Sequence, residues 1–163
     1  DLLAKDRRLA INGRSYVLVE LPMNEIPPYV ETTVFQLLVH GFIPILAHPE
    51  RYLELQQDPA KLVKLVQAGM LSQLNAGSLL GQYGRAARNA AREFLRQRCA
   101  HFLASDVHAG QSSPVSLSQG VAAAAAVANE IPVRAMVTSM PECVIRGERI
   151  EPALLALGAQ SLD

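Results

Sequence analysis

The chain has 163 residues, half of them hydrophobic, with fifteen basic and fifteen acidic side chains. That length and composition suit one domain with a real core and exclude a disordered chain. The balanced charge gives no global reason to bind nucleic acid or a membrane, no apolar run approaches the roughly 20 residues of a bilayer span, and two cysteines make no disulfide framework, which points to a reducing, cytoplasmic setting.

Residues 16–21 (YVLVEL) are β-rich and apolar, and Pro22 ends the run. They predict a buried strand with Glu20 near its C-terminal end. Residues 31–40 predict a helix stopped by Gly41, and 42–47 a second strand with His48 at its end. Residues 59–69 carry Pro near the start and Gly at the end, as a helix should. A third strand is expected over 71–75 (LSQLN). Residues 83–98 predict a strong helix, with Arg85, Arg88, Arg92 and Arg96 on one face and Ala87, Ala90, Ala91, Phe94 and Leu95 on the other. A fourth strand, 101–105, runs into Asp106-Val107-His108. Residues 113–129 hold five consecutive alanines, expected as a helix packed close to its neighbour, and 110–118 is the one Ser/Pro-rich loop. The tail from Pro132 is left unassigned. Strand and helix alternate through short links, which predicts a parallel sheet wrapped by helices, as a barrel or an open α/β fold.

In a parallel barrel, residues at the C-terminal ends of strands face one common site. Glu20, His48, Asp106 and His108 each fall at or just past such an end. Their mixed oxygen and nitrogen donors suit manganese, iron or zinc and suit calcium poorly. Arg51, three residues past His48, is placed to hold a phosphate beside such a metal, which would supply hydroxide at neutral pH. Plainer readings stand beside these. Either histidine can be a hydrogen-bonded loop residue, Glu20 can pair with an arginine, and Asp106 can cap a turn. Asn75-Ala76-Gly77-Ser78 is either a helix-capping turn or a polar rim of the same site. The arginine stripe is either a solvated helix face or a dock for an acidic or phosphorylated partner. His40 and His101 read as structural.

Cys143 and Arg149 have the Cys-x5-Arg spacing of thiol-based phosphatases. The intervening Val144-Ile145-Arg146-Gly147-Glu148 includes two bulky β-branched residues, where a phosphate-cradling loop needs small ones. Glu142 sets an acid beside the thiolate such chemistry requires. The spacing is therefore read as coincidence, with no nucleophilic cysteine.

VLVELP (17–22), ILAHPERY (45–52), LNAGSLLG (74–81) and FLASDVH (102–108) together resemble, in order and spacing, the bacterial phosphotyrosine-protein phosphatases of capsular and exopolysaccharide operons. These belong to the polymerase and histidinol phosphatase (PHP) superfamily. The resemblance implies one domain over 1–163, built as a distorted parallel (β/α)7-type barrel. It implies a cluster of divalent metals, commonly Mn²⁺, with Fe²⁺, Zn²⁺ or Mg²⁺ as alternatives. Glu20, His48, Asp106 and His108 would be metal ligands. His48 and Arg51 would act in catalysis, with Arg51 and Asn75 binding the phosphoryl group. The substrate would be the phosphotyrosine tail of a polysaccharide-export autokinase, attacked by metal-bound hydroxide. Alternatives within the same fold are a non-catalytic binding module and a phosphoesterase of small phosphates. The family also opens with a His-x-His strand, whereas here no histidine precedes His40. The resemblance thus implies the later part of the family domain, with the first barrel strands and about half of the ligands outside it. Sheet edges left open in this way invite pairing with another chain, so a homo-oligomer is one expectation. The family also carries an arginine shortly after Asp-x-His. Residues 109–118 contain no Arg or Lys, which leaves Arg85 or Arg88 to replace it.

Overall fold

Four parallel strands lie side by side in chain order: β1 (Tyr16–Val19), β2 (Ile43–Ala47), β3 (Leu71–Asn75) and β4 (Phe102–Ala104). A computed structural model describes residues 7–108, 115–128 and 130–150 of the chain. Register pairs Tyr16 with Ile43, Ile45 with Leu71, and Gln73 with Phe102. No strand order reverses, so each crossover returns to the neighbouring position, and all four C-terminal ends share one edge. The apolar runs that predicted buried strands are buried on both faces in β2 and β3. The edge strand β1 departs from this: Leu18 is 47% exposed.

The helices follow: α1 (Val30–Val39), α2 (Leu53–Gln57), α3 (Ala60–Gln67), α4 (Ala76–Leu79), α5 (Gly84–Arg96), α6 (Leu117–Ala125), α7 (Glu130–Ala135) and α8 (Ser139–Arg146). The apolar face of α5 is buried through Ala87, Ala90, Ala91, Phe94 and Leu95, as its spacing predicted. Leu46, Leu55, Leu62, Leu74 and Phe94 are fully enclosed at the centre. Fully burying each such side chain stabilises the fold by about 1.5–3 kcal/mol.

Several predicted ends move, for identifiable reasons. The helix expected over 31–40 stops at Val39, because the Phe42 N–H returns to Leu37 O at 2.8 Å and Gly41 takes the left-handed conformation this closure needs. The helix expected over 83–98 ends at Arg96 in the same way. There Arg98 takes the left-handed position at φ +57°, with Cys99 N–H on Phe94 O at 2.9 Å, and no glycine announced the stop. The alanine-rich helix begins at Leu117, not residue 113. Ser116 caps it: its hydroxyl accepts the Gln119 N–H, and Gln119 Oε1 accepts the Ser116 N–H at 2.9 Å. Its closest approach to a neighbour comes at Gly120, where a Cβ would stand 2.4 Å from Ala76 Cβ. The predicted loop over 110–118 and the first residues of that helix lie partly outside the described residues. The unassigned tail forms α7 and α8. Pro132 and Pro141 sit in the first turns of these helices, where proline is tolerated.

His40 closes α1, its Nδ1 lying 2.7 Å from Gln36 O. His101 is buried at the start of β4 and its Nδ1 accepts the Ser72 N–H at 3.1 Å. Burial pushes its pKa down to about 4. The unfolded chain takes this proton below its ordinary value near 6.5, and the folded chain resists until about 4. Stability should therefore fall as pH drops through that window, by an amount on the order of 3 kcal/mol from this group alone. Urea unfolding at several pH values tests this. His101→Leu should remove this contribution, so that the variant gains stability relative to the parent as pH drops from 6.5 to 4, while costing about 1–3 kcal/mol at neutral pH because the Ser72 N–H loses its acceptor. An unchanged slope in the variant would refute the assignment.

Candidate active site at the strand ends

At the shared C-terminal edge, each strand hands over to a polar residue. Glu20 follows β1, His48 follows β2, Asn75 ends β3, and Asp106 lies two residues beyond β4. His48 and Asp106 both hold positive φ, +36° and +54°. Left-handed backbone at a non-glycine residue costs free energy and concentrates at functional sites. Here it turns the chain sharply out of the sheet and keeps both side chains at its edge.

The block 48–52 is a folded unit. His48 is buried, with Nε2 3.3 Å from Glu20 Oε1. Its ring lies 5.6 Å from that of Tyr52, whose hydroxyl accepts the Leu21 N–H at 3.0 Å. Tyr52 thus ties this block to the end of β1, beside Glu20. Pro49–Arg51 forms one 3₁₀ turn. That turn sends Glu50 inward and Arg51 toward Asp106, with Arg51 Nη1 3.6 Å from Asp106 Oδ2. The Arg51 guanidinium also lies over the Tyr83 ring at 4.5 Å, a cation–π contact that fixes its direction.

Asp106 is the hub. Asn75 Nδ2 donates to its Oδ2 at 2.7 Å, Arg51 approaches the same oxygen, and His108 Nε2 stands 3.7 Å from Oδ1. Among the described residues Asp106 faces Asn75, Arg51 and His108, and Glu20 faces His48 where an arginine was one expectation. Asn75 joins the site as the polar-rim reading foresaw, and α4 follows it directly without a side-chain cap.

Glu50 is the residue that sequence reasoning left without a role. It is fully buried, and its Oε1 accepts the Asn75 N–H at 3.0 Å and the Ser78 hydroxyl at 2.6 Å. Burial raises its pKa to about 7, against the lowering effect of those two hydrogen bonds. It clamps the turn after β2 onto the end of β3 and the start of α4. An acid set between His48 and Arg51 in an otherwise apolar block was the available signal.

The four expected metal ligands fall into two facing pairs, Glu20 with His48 and Asp106 with His108. Each pair sets an imidazole nitrogen against a carboxylate oxygen, the donor types that manganese, iron and zinc accept. His48 Nδ1 is buried with no partner among the described residues. In donor chemistry the residues fit a divalent ion. In number they do not enclose one: among the described residues, no group of three or more His, Cys, Asp or Glu side chains is gathered closely enough to hold a metal.

The Cys-x5-Arg segment lies elsewhere. Cys143 sits within α8, and Arg149 lines a groove at the opposite end of the sheet with Ser15, Phe42 and His101. Val144, Ile145 and Arg146 continue the helix that holds Cys143, so among the described residues this segment forms no loop around the thiol.

The fold and this edge define a parallel α/β protein whose strand ends converge on a site bearing carboxylates, imidazoles and one arginine. The model of the family described as "Capsular polysaccharide synthesis, CpsB/CapC" matches residues 1–146, and the chain belongs to that family. The tyrosine-protein phosphatase YwqE of Bacillus subtilis (strain 168) is 38% identical over 106 residues, covering 65% of this chain and 42% of its own length. CapC of Staphylococcus aureus is 41% identical over 109 residues, 67% of this chain and 43% of CapC. The chain thus spans less than half the length of these curated relatives. A crystal structure from work on YwqE and on CpsB of Streptococcus pneumoniae, described as unique metal-dependent tyrosine phosphatases, superimposes with a TM-score of 0.80 at 29% identity, covering 88% of this chain and 57% of that one.

Proposed function

We propose that this chain carries the phosphate-binding edge and part of the metal ligand set of a metal-dependent phosphotyrosine-protein phosphatase, built on a PHP-type barrel. The observation that carries this reading is the convergence of His48, Arg51, Asn75 and Asp106 from three strand ends, with Arg51 held between Tyr83 and Asp106. The relatives' names and the neighbouring structure support the reaction class. Glu20, His48, Asp106 and His108 would hold the metal, manganese being the first choice, with further ligands drawn from outside these four side chains.

A divalent ion, when bound, supplies a hydroxide nucleophile and polarises the phosphoryl group. The protein's own part is positioning. Arg51 grips phosphoryl oxygens with a planar fork. Asn75 holds Asp106 by one hydrogen bond and keeps its second oxygen turned toward His108. Glu50 fixes the mutual placement of the two strand ends. The substrate is the phosphotyrosine tail of a polysaccharide-export autokinase, which makes the protein a regulator of capsule or exopolysaccharide synthesis. Two unpaired cysteines accord with a cytoplasmic setting, and no helix among the described residues is long and apolar enough to cross a membrane.

Hydrolysis of p-nitrophenyl phosphate by the full-length protein, with and without Mn²⁺ and alongside metal content, tests the reading. Turnover that needs Mn²⁺ and is lost in EDTA is expected. Turnover indifferent to EDTA would overturn it.

A further inference from the structure

The arginine stripe on α5 remains outside the proposed chemistry. This thirteen-residue helix carries Arg85, Arg88, Arg92 and Arg96 against a single acid, Glu93. In a chain of balanced charge, that is a local excess. Glu93 is already engaged, by Arg96 at 3.4 Å and by Gln97 at 2.8 Å. The side chains of Arg85, Arg88 and Arg92 make no hydrogen bond or ion pair among the described residues. The expectation of a solvated face holds for Arg85 and Arg96. Arg88 and Arg92 are half-buried, and the Nε atom of each is shielded from water without a partner. An unpaired donor in that position is costly.

The stripe is aimed. Tyr83, directly before α5, lies under Arg51, so the N-terminal end of the helix abuts the strand-end site. Helical side chains lean toward the N-terminus of their helix. Arg88 does so visibly, lying 3.8–3.9 Å from where a Cβ on Gly81 would stand. Farther along, Arg92 and Arg96 line a groove of about 490 Å³ with Gln56, Asn89 and Glu93, the last held by Arg96 and Gln97. From Arg85 to Arg96 the track is about 17 Å long, the span of about five residues of extended chain.

We propose that the arginine face of α5 is a docking track for an acidic polypeptide segment that flanks the phosphotyrosine, guiding it toward Arg51. This rests on the phosphatase reading of the strand-end site. A stripe of four arginines, two of them half-buried and two lining a groove, fits an extended acidic peptide better than the flat surface of an anionic bilayer. Arginine forks suit carboxylates geometrically.

The test is fluorescence anisotropy on the purified chain with two labelled phosphotyrosine peptides, one flanked by five Asp or Glu residues and one by Ser and Gly. The acidic peptide should bind about tenfold more tightly at low salt, from a few exposed ion pairs acting together, and the preference should shrink as salt is raised. Arg92→Gln with Arg96→Gln should abolish most of the preference while leaving p-nitrophenyl phosphate turnover unchanged. Should that pair fail to fold by circular dichroism, Arg96→Glu alone, at an exposed position, should still reduce it. Equal affinity for the two peptides, or a preference that survives the substitutions, overturns the track. So does arginine-dependent binding to phosphatidylserine vesicles without any peptide preference. Turnover without acidic preference sinks the track and spares the phosphatase reading. Arginine-dependent acidic binding in a preparation of full-length protein with no aryl-phosphate turnover does the reverse.

Discussion

On the proposed reading, alanine in place of His48 or of Asp106 is expected to lower phosphatase activity of the full-length protein by roughly a thousandfold or more, since each would remove a metal donor and its neighbours' alignment together. Serine in place of Cys143 should leave activity nearly unchanged. The contrast follows from position. His48 and Asp106 stand at the shared edge of the sheet, in strained backbone, each facing a partner donor. Cys143 is one turn from the end of a helix, and its would-be arginine faces the other end of the sheet. Loss of Asp106 also releases Asn75 and leaves Arg51 without its carboxylate, so phosphate binding should weaken along with metal content. The measurements are kcat/KM on an aryl phosphate with excess Mn²⁺, metal content of the purified variants, and thermal melts to show that they fold. A Cys143→Ser variant as impaired as Asp106→Ala would replace the metal mechanism with a thiol one.

Glu50 should separate charge from hydrogen bonding. Its folded pKa, about 7, lies above the ordinary 4.5. Folding therefore favours the protonated acid. The stability this contributes is complete below about pH 4.5 and is lost as pH rises through about 7, by an amount on the order of 3 kcal/mol. Glu50→Gln keeps an oxygen for the Asn75 N–H and the Ser78 hydroxyl but cannot ionise. It should be more stable than the parent at pH 8 and show no loss across that window. Glu50→Leu also cannot ionise, yet it strands two buried donors and should cost about 2–4 kcal/mol at any pH. Urea midpoints at pH 5 and pH 8 for the three proteins decide the matter. A Gln variant less stable than the parent at pH 8 would mean that Glu50 works as a buried carboxylate. Because His101 destabilises the fold on acidification and Glu50 does so on alkalisation, and their windows overlap between about pH 4.5 and 6.5, the two effects should largely offset each other there and leave the parent with a plateau of stability.

The local parts of this protein were legible in its residues. Runs such as IPILA and LSQLN announced buried strands, and the polar residues closing them marked the edge where the site lies. Gly41 and Gly69 marked helix ends, because a left-handed residue is needed there and glycine adopts it freely. The apolar face of α5 followed from helical spacing. Where such punctuation was absent or misleading, the reading slipped: Arg98 ends a helix in glycine's place, and prolines in the first turns of α7 and α8 hid two helices. What no local pattern contained was which side chains would meet. Asn75 reaches Asp106 across 31 residues, Glu50 reaches Ser78 across 28, and Arg51 rests on Tyr83. Such pairings depend on strand register and crossover geometry, which set positions across the sheet, whereas periodicity reports only which face of one element is buried. The same holds for charge. Four arginines at helical spacing look alike in sequence. Packing alone decided that two would be half-buried, and that the start of their helix would sit beside Arg51.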